Sequence, residues 1–430
     1  MKRHKIKEPH VTARTHKPDY VLLAAVGALV GVGLVMVYSA SFVEAFNERG
    51  NQYYYLLRQC VGALIGIIGL LITQRIDYRV WRRYSVHLMG LALVLLILVL
   101  ILPASMTEVN GSRSWIRFGS GGVFGLFSVQ PSEFAKLAMI VYFADWLSRR
   151  SDKLGNVTYG LVPFAVILGL VCGLIMLEPD LGTTIVVLVI GGVIYFAAGA
   201  KLWHLAGAAG LGALAFWMLV QVFGFRNYRI EAFKDPWKYA DSFGYQPIHA
   251  LYALGSGGIF GTGLGQGRQK FQWLPQAYTD TIFAIIGEEL GLIGTTAVMI
   301  AFAVIAYRGF RIAGRAPNPF AALVAVGITA WICFQALINI GVTTSLIPFT
   351  GITLPFLSYG STSLITCLLG VGILLNISRH TVPRHAQEIV DEPPPRRSPA
   401  FAFSPSLALR RRDGRSRVSG PGSGRRYRRR

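Results

Sequence analysis

RRYSVHLMGLALVLLILVLIL, residues 82–102, sets two arginines against an unbroken apolar run. As a helix rising 1.5 Å per residue, positions 85–102 reach about 27 Å, close to the hydrocarbon thickness of a bilayer. Runs of the same kind recur at 20–38, 56–73, 160–177, 181–198, 202–223, 282–307 and 320–345. Two further candidates are more polar: 131–147 contains Glu133, Lys136 and Asp145, and 357–377 is rich in Gly, Ser and Thr. The sum is about ten transmembrane helices, so the expected class is an all-α polytopic membrane protein. A chain that is 53% hydrophobic and only 15% charged is too apolar for a soluble domain of 430 residues.

The basic residues orient these spans, because short cytoplasmic loops retain Lys and Arg. Lys2, Arg3, Lys5 and Lys7 precede the first span; Arg75, Arg79, Arg82 and Arg83 follow the second; Arg149, Arg150 and Lys153 follow the fourth. Lys201 and then Arg308, Arg311 and Arg315 continue the alternation, which places both termini in the cytoplasm. The opposite loops are extracytoplasmic, and two are long, at about 103–130 and 224–281. Lipid tolerates no unpaired backbone, so loops this long and Gly-rich belong in water or against protein. Their length makes them the place to look for function.

The net charge of +21 would suit a nucleic-acid-binding protein if it formed one face. Instead, residues 379–430 carry fourteen Arg against four acidic residues, and the rest of the excess flanks the spans. Residues 1–18 read as a basic cytoplasmic segment, 19–380 as the membrane domain and 381–430 as a disordered Arg-, Pro- and Ser-rich tail. Anionic membrane lipids, not nucleic acid, are the expected partner of that tail. Cys60, Cys172, Cys333 and Cys367 sit singly in apolar runs, without the spacing of a zinc site. No small-residue cleavage site follows the first apolar run, so that run is read as a retained anchor.

Ionisable groups in or beside spans are costly and mark candidate sites. Glu133 and Lys136 stand three apart in QPSEFAK, where Pro131 suits a first helical turn. They form either a packing pair or part of a site. Glu178 and Asp180 bracket Pro179 between two spans, where Asp180 either caps a helix or lines a cavity. The run 255–270, GSGGIFGTGLGQGRQK, lacks both G-K-[ST] and G-x-G-x-x-G, so neither nucleotide motif is present. Its amides with Arg268 and Lys270 could cradle a pyrophosphate, or the run could be a plain flexible loop. Asp280, in LPQAYTDTIF at the entrance to a span, is either an N-cap or a general base.

Taken together, residues 110–116 (NGSRSWI), 130–136, 178–183, 261–267, 274–291 and 348–360 (PFTGITLPFLSYG) resemble the SEDS family (shape, elongation, division and sporulation). The resemblance covers about 19–380. TGITLPF at 350–356 looks more like the division and sporulation members, FtsW and SpoVE, than the elongation member RodA. Gln276, Tyr278 and Ser361 depart from the Glu, His and Gly common in the family.

The resemblance implies a peptidoglycan glycosyltransferase that polymerises lipid II into β-1,4-linked glycan and releases undecaprenyl pyrophosphate during septal wall synthesis. It implies a bacterial cytoplasmic membrane location at the division septum. Asp280 matches the family's essential acid and is the expected base. Arg113, Lys136, Arg268 and Lys270 are candidates for neutralising the pyrophosphate, Trp115 for stacking on sugar or anchoring at the interface, and Glu133 and Asp180 for lining the site. A divalent cation, Mg or Mn, is a candidate cofactor. Lipid II, the nascent glycan strand, a class B penicillin-binding transpeptidase and other division proteins are the implied partners. A lipid-precursor flippase and a non-catalytic division scaffold are the rival functions.

Overall fold

The computed structural model describes residues 16–109, 112–117, 128–150, 154–204 and 227–381, with a few positions between 206 and 218. Among them, nine helices fit the expected spans: α1 (Tyr20–Arg49), α2 (Tyr54–Arg75), α3 (Tyr78–Ile101), α4 (Pro131–Ser148), α5 (Val162–Leu177), α6 (Leu181–Ala197), α9 (Ile282–Ala313), α10 (Pro319–Thr343) and α11 (Ser361–Ser378). The span expected at 202–223, the segment 1–15 and the tail from 382 lie outside the described residues for most or all of their length. Two shorter helices, α7 (Asn227–Lys234) and α8 (Tyr245–Gly257), occupy what the sequence reads as a long loop. The loop at 103–130 contributes one helical turn, Ala104–Thr107, and two small antiparallel ladders, Glu108–Val109 with Ser112–Arg113 and Ile116–Arg117 with Ser128–Val129.

Local chemistry explains the helix ends. The Leu22 amide donates to Asp19 Oδ1 at 3.1 Å and the Ala321 amide to Asn318 Oδ1 at 2.9 Å, satisfying first-turn donors that would otherwise be orphaned. Pro131 and Pro319 open α4 and α10, where a missing N–H costs nothing. Helix α9 is kinked at Gly291, whose φ of 67° and ψ of −163° leave the helical region. A Cβ there would collide with the backbone of Ile259 and Gly261, so only glycine lets the 258–261 turn lie against the kink.

The more polar spans turn out to be central. Of the apolar window in α11, 83% is buried, against 28% in α3. Lipid demands apolar surface only from helices that face it, so α11 can hold Ser361, Thr362, Ser363 and Thr366. Helix α2 reaches α11 closely because Gly62, Gly66 and Gly69 face it. A Cβ at these positions would stand 2.7, 2.6 and 2.7 Å from Ser361, Leu368 and Leu369. Helix α4 is buried along most of its length for the same reason.

The basic loops gather at one end. Arg308 pairs with Asp19 at 2.6 Å, the Asp19 amide donates to Ser378 Oγ at 3.1 Å, and Asp145 takes Arg82 at 3.0 Å and Arg149 at 2.7 Å. From that end, the rise along α1 to Ser39 and along α9 from Arg308 to Glu289 is about 29 Å each, one hydrocarbon thickness. Ser39 meets Glu289 at 2.7 Å, so this contact marks the outer boundary, and the chain beyond it stands on the opposite, outer side.

Candidate active site

Asp280 lies in the turn 274–281 that leads into α9, held by hydrogen bonds within the turn and from distant segments. Thr281 Oγ1 donates to the carbonyl of Gln276 at 3.1 Å, the Tyr359 amide to the Tyr278 carbonyl at 2.8 Å, and Asn339 Nδ2 to the carbonyls of Asp280 at 2.8 Å and Ile352 at 2.7 Å. Asn339 thus ties the Asp280 turn to the segment after α10. Asp280 Oδ2 lies 3.8 Å from where a Cβ on Gly351 would stand, so the carboxylate sits over a bare stretch of backbone.

The helix-capping alternative does not hold for Asp280. Thr281 is the N-cap of α9, without a side-chain cap bond, and the Asp280 carboxylate instead meets Thr279 Oγ1 at 3.0 Å. It forms no salt bridge among the described residues. Protein mass surrounds the carboxyl while part of the residue stays accessible, and the resulting desolvation pushes its pKa to about 6. The Thr279 hydroxyl, its own backbone amide and the nearby Arg229 charge pull the other way. At neutral pH the group is ionised yet far more basic than an ordinary aspartate, as a general base should be.

The other candidates divide into two groups. Lys136 Nζ is bound by Glu133 at 2.7 Å and Gln335 at 2.9 Å, stands 5.1 Å from the centre of the Trp331 ring, and is buried. Gln335 Nε2 carries this network to the Thr353 carbonyl at 3.0 Å, one helical turn from Asn339. Lys270 is likewise enclosed, 2.6 Å from Glu289 and 3.1 Å from Ser39, so the structure gives it a structural partner where the sequence suggested a pyrophosphate. Both lysines are spent on buried carboxylates. Arg113 and Arg268 are exposed and Trp115 is half-buried.

The glycine-rich run is neither a flexible loop nor an open cradle. Glu288 accepts the amides of Arg268 at 2.6 Å and Gln269 at 3.2 Å, and Glu289 accepts the amide of Gly265 at 3.0 Å. The anion that the sequence sought for these amides is supplied by α9 itself. Gly261, Gly263 and Gly265 take positive φ to make that wrap.

Asp180 does cap α6, accepting the Thr183 amide at 2.9 Å, and meets Gln130 Nε2 at 3.4 Å. Gly182, next to it, packs against Thr350 and Ile352, the neighbours of Gly351. Glu178 is fully buried, and neither carboxyl oxygen has a hydrogen-bond partner among the described residues. Burial, with Asp180 adding repulsion, raises its pKa to about 9, so it is a neutral acid at pH 7. The sequence reading missed Arg229, Asn339, Gln335 and Glu289. Polar side chains inside apolar spans were the available signal for the last three.

A family model described as "Cell cycle protein", which groups FtsW, RodA and SpoVE, matches residues 20–382. The chain belongs to this family. It is 44% identical to stage V sporulation protein E of Bacillus subtilis over 371 residues, covering 86% of this chain and all of that one. It is 42% identical to a probable peptidoglycan glycosyltransferase FtsW of Trichlorobacter lovleyi, covering 84% and 93%. Among solved structures, it resembles a chain of a peptidoglycan synthase complex that coordinates polymerization and crosslinking, with a TM-score of 0.68, 29% identity and coverage of 84% and 98%. It also resembles the rod shape determining protein RodA of Thermus thermophilus, with a TM-score of 0.61, 29% identity and coverage of 85% and 98%.

In this FtsW/RodA/SpoVE-family chain, Asp280 and its Thr279 neighbour occupy the outer end of the bundle. Among the described residues no group of three or more His, Cys, Asp or Glu is placed to hold a metal ion. One carboxylate with Thr279, Asn339 and Arg229 nearby supplies too few protein oxygens to hold a divalent cation unless the diphosphate completes its shell.

Proposed function

We propose that this peptidoglycan glycosyltransferase polymerises lipid II with Asp280 as its general base. The observation that carries the reading is the partly accessible Asp280 carboxylate on the outer side of the membrane, uncommitted to capping or to ion pairing among the described residues and poised near pKa 6. Asp280 removes the proton of the GlcNAc 4-hydroxyl of lipid II. The oxygen attacks C1 of the chain-terminal MurNAc, forming the β-1,4 bond as the bond to the pyrophosphate breaks and its electron pair leaves with undecaprenyl pyrophosphate. Attack opposite the leaving group inverts the α-linked donor. One base suffices because the diphosphate leaves as a stabilised anion and needs no general acid, unlike the two-carboxylate arrangement of glycoside hydrolysis.

The exposed Arg113 and Arg268 meet the diphosphate, and Trp115, two positions from Arg113 in the first outer loop, stacks on the sugar. Glu133, Lys136 and Lys270 serve by holding the helices that frame Asp280. A flippase would need groups near the midplane reachable from both sides, whereas Glu133 and Lys136 are closed off by Gln335 and Trp331. Crosslinking of the new strand falls to a class B penicillin-binding transpeptidase, and the site of action is the division septum of the bacterial cytoplasmic membrane. The test is polymerisation of lipid II by purified chain and transpeptidase: Asp280→Asn is expected to lower kcat by about 10²–10⁴. Full polymerisation by Asp280→Asn overturns the reading. A depletion strain rescued by the same variant points instead to a scaffold.

A further inference from the structure

Beside the Asp280 turn is a cavity of about 320 Å³, walled by Tyr228, Arg229, Phe243, Tyr245, Ser345 and Phe349. It shares a wall with the active-site turn through Pro275, whose carbonyl accepts Gln246 Nε2 at 3.1 Å. Arg229 links the two directly: its guanidinium donates to the Phe349 carbonyl at 3.0 Å, and its charge acts on Asp280. Tyr228 and Phe243 stack face to face with centroids 4.0 Å apart and planes 28° apart, and each keeps part of its ring surface exposed. Ser242, Tyr245 and Gln246 put accessible polar groups on the same wall.

Flat aromatic walls with a few isolated polar points suit a ring that has apolar faces and hydrogen-bonding edges. A pyranose is such a ring. The volume is at the small end for a ligand site, right for one ring-sized group and too small for a polyprenyl chain. Position agrees. Val342, on the cavity wall, is about 35 Å along α10 from Pro319, past the hydrocarbon layer and on the water side. A site for a free anion would present several uncommitted donors, whereas Arg229 is the one cation on this wall and is already engaged with Phe349.

We propose that this cavity is a sugar subsite that seats an amino-sugar ring of the glycan substrate, next to the ring that reacts at Asp280. The proposal rests on the glycosyltransferase reading above. The exposed part of the aromatic pair packs on the ring face, and the Ser242, Tyr245 and Gln246 side chains on the same wall meet its hydroxyl or acetamido groups. Tyr228 and Phe243 act by holding substrate and take no part in proton transfer.

The test uses the full chain with its transpeptidase partner in lipid nanodiscs, comparing wild type with Tyr228→Ala, Phe243→Ala and Tyr228→Phe. Each alanine variant is expected to raise KM for lipid II roughly threefold to tenfold with little change in kcat, and Tyr228→Phe to restore most of the loss. Binding provides the second readout. Wild type should bind lipid II more tightly than sugar-free undecaprenyl pyrophosphate, and the alanine variants should lose that preference while their thermal unfolding midpoints stay unchanged. An unchanged KM and preference overturns the subsite, as does an equal loss for the sugar-free lipid, which would assign the cavity to the lipid moiety. Asp280→Asn run alongside separates the two readings. If it is inactive while the cavity variants behave as wild type, only the subsite falls; if it is active, the base assignment falls.

Discussion

Replacing Lys270 with Met decides whether this cation belongs to substrate or to the fold. Its ammonium is 2.6 Å from Glu289 Oε1 and 3.1 Å from Ser39 Oγ, beneath the Phe42 ring, and both ionic side chains are fully buried. Met fills most of the volume but leaves the Glu289 carboxylate with only the Ser39 hydroxyl and the Gly265 amide, too little to offset a buried charge. Breaking such a pair from one side costs about 3–5 kcal/mol, whereas removing both charges costs far less. Lys270→Met is therefore expected to lose about 3 kcal/mol or more. Lys270→Met with Glu289→Gln should recover a coupling energy of about 2 kcal/mol, because the amide still serves Ser39 and Gly265. Denaturation in one fixed detergent measures the cycle, and lipid II kinetics per folded molecule measure the site. Unchanged stability in Lys270→Met together with a tenfold rise in KM would refute the argument and return Lys270 to the pyrophosphate.

Two further outcomes concern protons. Because the base must be ionised, kcat/KM for lipid II should fall as pH drops through about 6 and level off above about 7, an acidic limb set by Asp280; a limb near 4 would contradict the desolvation of its carboxyl. Glu178 holds its proton more tightly folded than unfolded, so its contribution opposes folding increasingly as pH rises from about 4.5 towards 9, by about 3 kcal/mol at pH 7. Glu178→Gln should thus stabilise the protein at pH 7–8 and flatten its stability profile there, as thermal unfolding at several pH values would register; a variant that is less stable at pH 8 would show that Glu178 is ionised or paired.

Hydropathy in the linear chain was enough to place the nine spans that the described residues cover, because lipid imposes its demand on each segment separately. The family motifs likewise lie in short contiguous runs. What a segment cannot carry is the identity of its partner. Lys270 and Glu289 are nineteen positions apart, and Ser39 is farther still, so the closing of their charges on one another exists only in the packed bundle. The same holds for the amides of the glycine-rich run, which look free in sequence and are filled by Glu288 and Glu289. The polarity of α11 reads as a weak span until its neighbours exclude lipid from it. The basicity of Asp280 follows from the same cause, since desolvation belongs to the protein gathered around a residue and is absent from its own stretch of chain.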